Sequence, residues 1–262
     1  MNGALANRHA IVTGAAQGLG LAAAGVLAAR GARVLLADIQ ADRVRAAART
    51  LGGGSDRHLA VPVDVTASDQ VQALVETAMG AFGRVDILVN NAGGSGTVGV
   101  ADIEETSEEL WDRIVDVNLK GAFLCCRAVV PHMKAQRYGR IVNFSSVAAR
   151  GSFGPLLTVG ARLPYCAAKA GVEGLTYQLA RDLGPWNITV NVVVPGFTLT
   201  EPGARVHRQF AELSEAERRA LIGPIPLGRP GQPADVAWAV AFLAADESGY
   251  ISGATLEVSG AS

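Results

Sequence analysis

Tyr165 and Lys169 stand four residues apart in Tyr165-Cys166-Ala167-Ala168-Lys169, a spacing that puts a phenol and an ammonium on one face of a helix, one turn apart. A free phenol titrates near 10, and a cation within about 4 to 6 Å favours phenolate, which makes the hydroxyl a usable proton donor and acceptor near neutrality. Alone, such a pair is usually surface decoration. Upstream, Ser145-Ser146 ends an apolar run with two hydroxyls. The stretch Thr13-Gly14-Ala15-Ala16-Gln17-Gly18-Leu19-Gly20 has a glycine spacing that lets backbone amides at a helix start approach a pyrophosphate. Glycines at such a turn can also serve packing alone. Asp38 falls 18 positions after Gly20, at the end of the next apolar run, where a carboxylate can accept bonds from both hydroxyls of an adenosine ribose. The bland alternative there is a helix-capping aspartate.

Other chemistry finds less support. The four histidines (His9, His58, His132, His207) show no paired ligand spacing, so no metal is expected. Cys166 has no histidine base in sequence range, which disfavours a thiol nucleophile. Three cysteines, two of them adjacent (Cys125, Cys126), are an odd number typical of reduced intracellular thiols, so a cytoplasmic protein without a disulfide scaffold is expected. The balance of 23 basic and 24 acidic residues excludes a polybasic nucleic-acid or membrane-surface binder as the default, and no nucleic-acid or membrane partner is expected. Ala10 to Ala29 carries no charge and could pass for a membrane span, but four glycines with Thr13 and Gln17 divide it into a strand, a turn and a helix.

These groups must be positioned by regular elements. Short apolar runs alternate with longer helical patterns, the order of a parallel sheet covered by helices on both faces. Candidate strands are His9 to Thr13, Arg33 to Ala37, His58 to Val63, Asp86 to Asn90, Arg140 to Ser145, Ile188 to Val193 and Thr255 to Val258. Helix starts are signalled by capping boxes at Thr66…Asp69 and Thr106…Glu109 and by Pro233 at a first helical position. No linker or repeat interrupts the 262 residues, at 49% apolar enough for a large core, so an α/β, doubly wound Rossmann-type fold of about seven parallel strands in a single domain, 1–262, is expected. One irregular region runs from Phe197 to Arg229. Two further segments complete the candidate set: Asp86-Ile87-Leu88-Val89-Asn90-Asn91-Ala92-Gly93-Gly94, a strand ending where something must pack closely, and Asn118, a poor helix former inside a helical pattern.

The ordered set TGxxxGxG, NNAG, Asn118, Ser146, YxxxK and Pro195-Gly196 resembles the short-chain dehydrogenase/reductase family in its compact single-domain branch, and the likeness covers essentially the whole chain. The resemblance implies Tyr165 as general acid/base, Lys169 lowering its pKa and holding the nicotinamide ribose, and Ser146, the second serine of its pair, binding the substrate oxygen. It implies that Asn118 anchors a water joining Lys169 to solvent. Gly14, Gly18 and Gly20, with Gln17 and Leu19 between them, would line the diphosphate. Asp38 and Ile39 would meet the ribose, Asp64 and Val65 the adenine, Asn91, Ala92 and Gly93 the adenosine-ribose side, and Pro195, Gly196, Thr198 and Thr200 the nicotinamide. Two departures stand out: Thr198 where an aliphatic residue is commoner, and a tail reading Val258-Ser259-Gly260-Ala261.

The activity so implied is hydride transfer between a nicotinamide and a hydrophobic secondary alcohol or ketone. The expected cofactor is NAD, because Asp38 would repel a 2′-phosphate while Ile39, Ala15, Ala16 and Gln17 supply no cation. A 3-oxoacyl thioester reductase and a non-catalytic nucleotide-sensing regulator are the alternatives. By the same resemblance a homotetramer is expected, pairing the helices around Leu110 to Arg137 and Tyr165 to Leu183. Residues 197–229 would form a substrate lid. The 19 positions from Ser146 to Tyr165 are longer than is usual in the family, so Val147 to Pro164, with apolar Phe153, Leu156, Leu157, Val159 and Leu163, is expected to wall the cleft or pack on a neighbouring subunit.

Overall fold

A computed structural model describes residues 3–52, 57–96, 102–151, 162–202 and 204–261. The apolar runs form strands β1 (His9–Thr13), β2 (Arg33–Asp38), β3 (Leu59–Pro62), β4 (Ile87–Asn90), β5 (Gly139–Phe144), β6 (Ile188–Pro195) and β7 (Thr255–Val258). All pair in parallel in one sheet of order β3-β2-β1-β4-β5-β6-β7. The helices are α1 (Gly18–Ala29), α2 (Ala41–Thr50), α3 (Ser68–Phe82), α4 (Glu108–Val115), α5 (Gly121–Gln136), α6 (Arg162–Leu183), α7 (Arg205–Glu212), α8 (Glu215–Ile222) and α9 (Pro233–Ala244). The uncharged Ala10 to Ala29 stretch is thus the end of β1, a turn and α1, and among the described residues no helix is long and apolar enough to cross a membrane.

The strands are continuously apolar because both faces of the sheet are covered. Alternate residues separate into two layers: Ala10, Val12, Val34, Leu36, Ile87, Val89 and Val142 pack with α1 and α9, while Ile11, Leu35, Ala37, Leu88 and Ile141 pack with α3 and α5. The five inner strands pair on both sides and only the edge strands β3 and β7 on one, which fixes the register and leaves the carboxyl ends of the strands as a rigid rim. The chain reverses direction across the sheet between β1 and β4, and an open α/β sheet binds ligands outside the carboxyl ends at such a point.

Local signals held in part. Pro233 begins α9 as expected, with a box formed by Gln232 and Asp235. The expected box at Thr66 does not form: the Thr66 hydroxyl donates to Asp64 Oδ1 at 2.8 Å, and α3 starts two residues later behind Ala67, which has no side-chain cap. At α4 the cap is Ser107, whose Oγ accepts from Leu110 N at 3.2 Å, because Thr106 is turned back to the Asp102 carbonyl. The stretch read as irregular after Phe197 contains α7 and α8. Ser214 and Glu217 close a capping box at the start of α8, and Phe210 of α7 lies against Phe197 with ring centroids 5.8 Å apart.

Candidate active site

At the carboxyl rim of β1, β2, β3 and β4 lies a cavity of about 460 Å³ whose floor is the glycine turn. Gly14 and Gly18 have φ of 63° and 61°, a region that L side chains rarely enter, so the turn itself requires glycine at both. Gly20 does not face the cavity. A Cβ on it would collide with the Gly14 carbonyl, so its absence lets α1 start hard against the turn. The end of β4 secures this arrangement: Asn91 Nδ2 donates to the carbonyls of Thr13 and Gly14 at 3.1 and 3.0 Å, and Thr13 Oγ1 accepts from the Asn91 and Ala92 amides, both at 3.1 Å. Close packing at Asn91 and Ala92 is therefore packing against the glycine turn, whereas Gly93 lies against Asn118, whose side chain a Cβ there would strike. All three residues also line the cavity.

Asp38, at the end of β2, lines the same cavity and is held by two backbone donors, Ala16 N on Oδ2 at 3.0 Å and Gln40 N on Oδ1 at 2.9 Å. It does not cap α2, whose cap position is Gln40. Ile39, Asp64 and Val65 continue the wall, with Gln17, Gly18, Leu19 and Thr200 opposite. No lysine or arginine is among these residues. Beyond the wall, Arg43 Nη1 donates to Gln40 Oε1 at 3.1 Å. Backbone amides, positive-φ glycines and a fixed carboxylate fit the adenosine diphosphate part of a dinucleotide, whose anion would meet the start of α1 and whose ribose hydroxyls would donate to Asp38.

A second cavity of about 350 Å³ adjoins the first and shares Leu19, Asn91, Gly93, Thr200 and Val206 with it. Ser146, Tyr165, Lys169, Pro195, Gly196 and Thr198 line it together with Phe144 and Phe197. The pair four residues apart does share a face of α6: Lys169 Nζ lies 5.6 Å from the centroid of the Tyr165 ring. Lys169 is buried, donates from Nζ to the Phe144 carbonyl at 2.8 Å, and burial pulls its pKa down to about 8. The two serines differ. Ser145, which also lines the cavity, has Oγ 3.1 Å from the Lys169 carbonyl and 2.8 Å from Glu173 Oε1, so its proton is committed to acceptors on α6. Ser146 Oγ accepts from Ala148 N at 3.2 Å, an arrangement that leaves its proton to donate into the cavity. Thr198, the departure from the family pattern, is buried with its hydroxyl donating to the Gly196 carbonyl at 3.2 Å.

Asn118 stands apart from both cavities. It is buried in a single π-helical turn, Asp116–Lys120, between α4 and α5, a local widening that accommodates a poor helix former. Its Nδ2 donates to the carbonyls of Gly94 and Ile114 at 2.9 and 2.8 Å, and its Oδ1 accepts from Gly94 N at 3.0 Å. The side chain thus holds the segment after β4 that carries Gly93. The three cysteines are free, and burial pushes the Cys125 and Cys126 thiols up to about 12, which removes them as nucleophiles near neutrality. Of the segment expected to wall the cleft, Phe153, Leu156, Leu157 and Val159 lie outside the described residues, and Leu163, at the start of α6, is exposed.

Several lining residues carry no motif. Gln40, Glu201 and Val206 belong to the larger cavity, and Glu201 reaches the glycine turn from 183 positions away, which no local pattern announces. Known proteins place the arrangement. A family model described as enoyl-(acyl carrier protein) reductase matches residues 14–260. A hydroxy(phenyl)methylsuccinyl-CoA dehydrogenase subunit of Thauera aromatica is 40% identical, over 97% of this chain and 96% of its own length. Trans-4-hydroxycyclohexanecarboxylate dehydrogenase of Sinomonas cyclohexanicum is also 40% identical, over 98% of this chain and 93% of its own. The crystal structure of levodione reductase superposes with a TM-score of 0.87 at 30% identity, covering 98% of this chain and 97% of that one. With the motifs in order, the sheet order observed and likeness along nearly the full length, the chain belongs to the short-chain dehydrogenase/reductase family of oxidoreductases.

Proposed function

We propose that the chain interconverts a secondary alcohol and a ketone with NAD(H), using Tyr165 as general acid/base. The observation that carries this reading is that Ser146, Tyr165 and Lys169 line a cavity adjoining the one built by the glycine turn and Asp38. When bound, a nicotinamide would supply or accept the hydride, and Tyr165, Lys169, Pro195, Gly196, Thr198 and Thr200 are the residues that would hold it. Ser146 donates its hydroxyl proton to the substrate oxygen and fixes it beside Tyr165. In the oxidising direction the Tyr165 oxygen takes the hydroxyl proton of the alcohol, and in the reducing direction it returns a proton to the alkoxide oxygen. The Lys169 ammonium, close to the ring, favours the phenolate that accepts that proton. Pro195, Gly196, Thr198 and Thr200 border the space for the nicotinamide, and Asn118 acts behind it by holding Gly94.

NAD(H) is favoured over NADP(H) because a 2′-phosphate would stand against Asp38, and the wall adds Asp64 and Glu201 without a cation. Phe144, Pro195, Phe197 and Val206 give the smaller cavity an apolar wall, and the names of both curated relatives contain a ring, which supports a ring-bearing hydrophobic substrate. Residues 197–229 would act as the lid of a single catalytic domain. Thioester-linked substrates are the second reading, motivated by the description of the matching family model. Exposed Trp111, Phe123 and Tyr177 on α4, α5 and α6 support a homotetramer, and reduced, buried thiols support the cytoplasm. The test is absorbance at the reduced-nicotinamide band with a panel of cyclic and linear secondary alcohols, their ketones and a 3-oxoacyl thioester. Turnover of the ring compounds with NAD⁺ or NADH is expected. Preference for the thioester would install the second reading.

A further inference from the structure

Helix α1 begins with Gly18, and its own sequence provides no cap: the side chain of Gln17 at the cap position makes no capping bond, and the first turn has no acidic residue. The missing acceptor comes from the other side of the cleft. Both carboxylate oxygens of Glu201 accept from the Gly18 amide, at 3.2 and 3.1 Å, and Glu201 is half-buried in the wall of the larger cavity. The other two carboxylates of that wall are differently placed. Asp38 is fixed by Gln40 beside it and by Ala16, an amide of the glycine turn two residues before Gly18, and Asp64 by Thr66 beside it. Glu201 alone among the three bonds to the amide at the start of α1.

We propose that Glu201 competes with the diphosphate of the dinucleotide for the Gly18 amide, and so sets cofactor affinity and couples cofactor binding to the segment that borders the substrate cavity. This rests on the dinucleotide reading of the larger cavity. An exposed helix start attracts an anion through its unpaired amides and the helix dipole, and a side-chain carboxylate satisfies the same demand as a phosphate oxygen. The two anions cannot share one amide, because like charges at contact distance repel. When the diphosphate takes the site, Glu201 leaves it and carries its neighbours along. Thr200 precedes it and would lie 3.4 Å from a Cβ built on Gly18, and Ala204 and Val206 follow it in the same wall. Thr200 and Val206 also line the cavity of Ser146 and Tyr165, so displacement of Glu201 is felt where the substrate sits.

The experiment is titration calorimetry of the full chain with NADH, ADP and adenosine, for the wild type, Glu201→Gln and Glu201→Ala, with a melting curve for each. Glu201→Ala is expected to bind NADH and ADP roughly three- to tenfold more tightly, with adenosine binding unchanged. Glu201→Gln keeps the shape and an acceptor but loses the charge, so it should fall between the wild type and Glu201→Ala, and being nearly isosteric it covers a folding defect in the alanine variant. Unchanged or weaker NADH binding in both variants would overturn the proposal, and so would an equal gain for adenosine, which has no phosphate. A folded wild type that binds none of the three ligands would instead remove the dinucleotide reading itself, a failure visible before any variant is made.

Discussion

The two adjoining cavities are built from different materials. The floor of the larger is backbone and small residues at the ends of β1 and β4, where positive-φ glycines, a helix start and the Asn91 amide set the shape. The smaller is made of side chains that carry chemistry, Ser146, Tyr165 and Lys169, on a rim whose shape does not depend on them. A site made of backbone fails through geometry, so a substitution there disturbs folding and binding together. A site made of side chains fails through chemistry, and can be emptied of function while the fold stands.

The sharpest way to break this contrast is at Tyr165. Tyr165→Phe should lower kcat by roughly 10²- to 10⁴-fold while the NADH dissociation constant and the melting temperature hold, since a general acid/base contributes that much and the ring still packs on Leu110 and Ile114. Retained turnover would take Tyr165 out of its role. Lys169 sharpens it in the other direction, because function there is held at a cost to stability. Its folded pKa of about 8 lies below the unfolded value near 10.4, so the unfolded chain binds more protons between those limits and wild-type stability rises with pH across that window. Compared with Lys169→Met, the wild type should be at its greatest disadvantage below pH 8, and the gap should shrink by about 3 kcal/mol on going to pH 10.5. Urea midpoints at both ends of the window measure it, and a constant gap would mean that the ammonium is not buried at a cost.

On the backbone side, Gly20→Ala places a methyl against the Gly14 carbonyl and should lose about 1 to 3 kcal/mol of stability together with NADH affinity, read from denaturant midpoints and titration. Full affinity in a folded variant would show that α1 can shift without harm to the cavity. The smallest effect belongs to Asp38, a side chain lodged in the backbone-built cavity. Asp38→Ala should narrow the ratio of kcat/KM for NAD⁺ over NADP⁺ by about tenfold, on the order of one ionic contact. An unchanged ratio would mean that the carboxylate serves only its bonds to Ala16 and Gln40.

What the sequence disclosed follows the same division. Strands buried on both faces leave unbroken apolar runs, and the glycine turn leaves glycines because nothing else fits, so the sheet and the larger cavity could be read ahead of the structure. The Tyr165 and Lys169 pair was legible because helical spacing links the two residues locally. Contacts between distant segments were not. Nothing around Glu201 points to Gly18, and nothing around Asn118 points to Gly94; those partners are set by how β4, α5 and the segment after β6 converge. The helices α7 and α8 are not announced by the sequence although Ser214…Glu217 has the form of a capping box, because each is only eight residues long and mostly polar, too short for a periodic pattern to stand out from an irregular stretch. At α3 and α4 the start was displaced by a residue or two because neighbouring polar side chains compete for the same amides.

The central claim, hydride transfer at a carbinol carbon beside Tyr165, is tested most directly by isotope. A ring-bearing secondary alcohol carrying deuterium on its carbinol carbon is incubated with NAD⁺ and the protein, and the reduced cofactor is analysed by mass spectrometry. Hydride transfer predicts that the deuterium appears on the nicotinamide with the wild type and is nearly absent with Tyr165→Phe, although both bind NAD⁺. Bound NAD⁺ with no labelled product from any alcohol of the panel would contradict the claim and leave a protein that binds the nucleotide without turning it over.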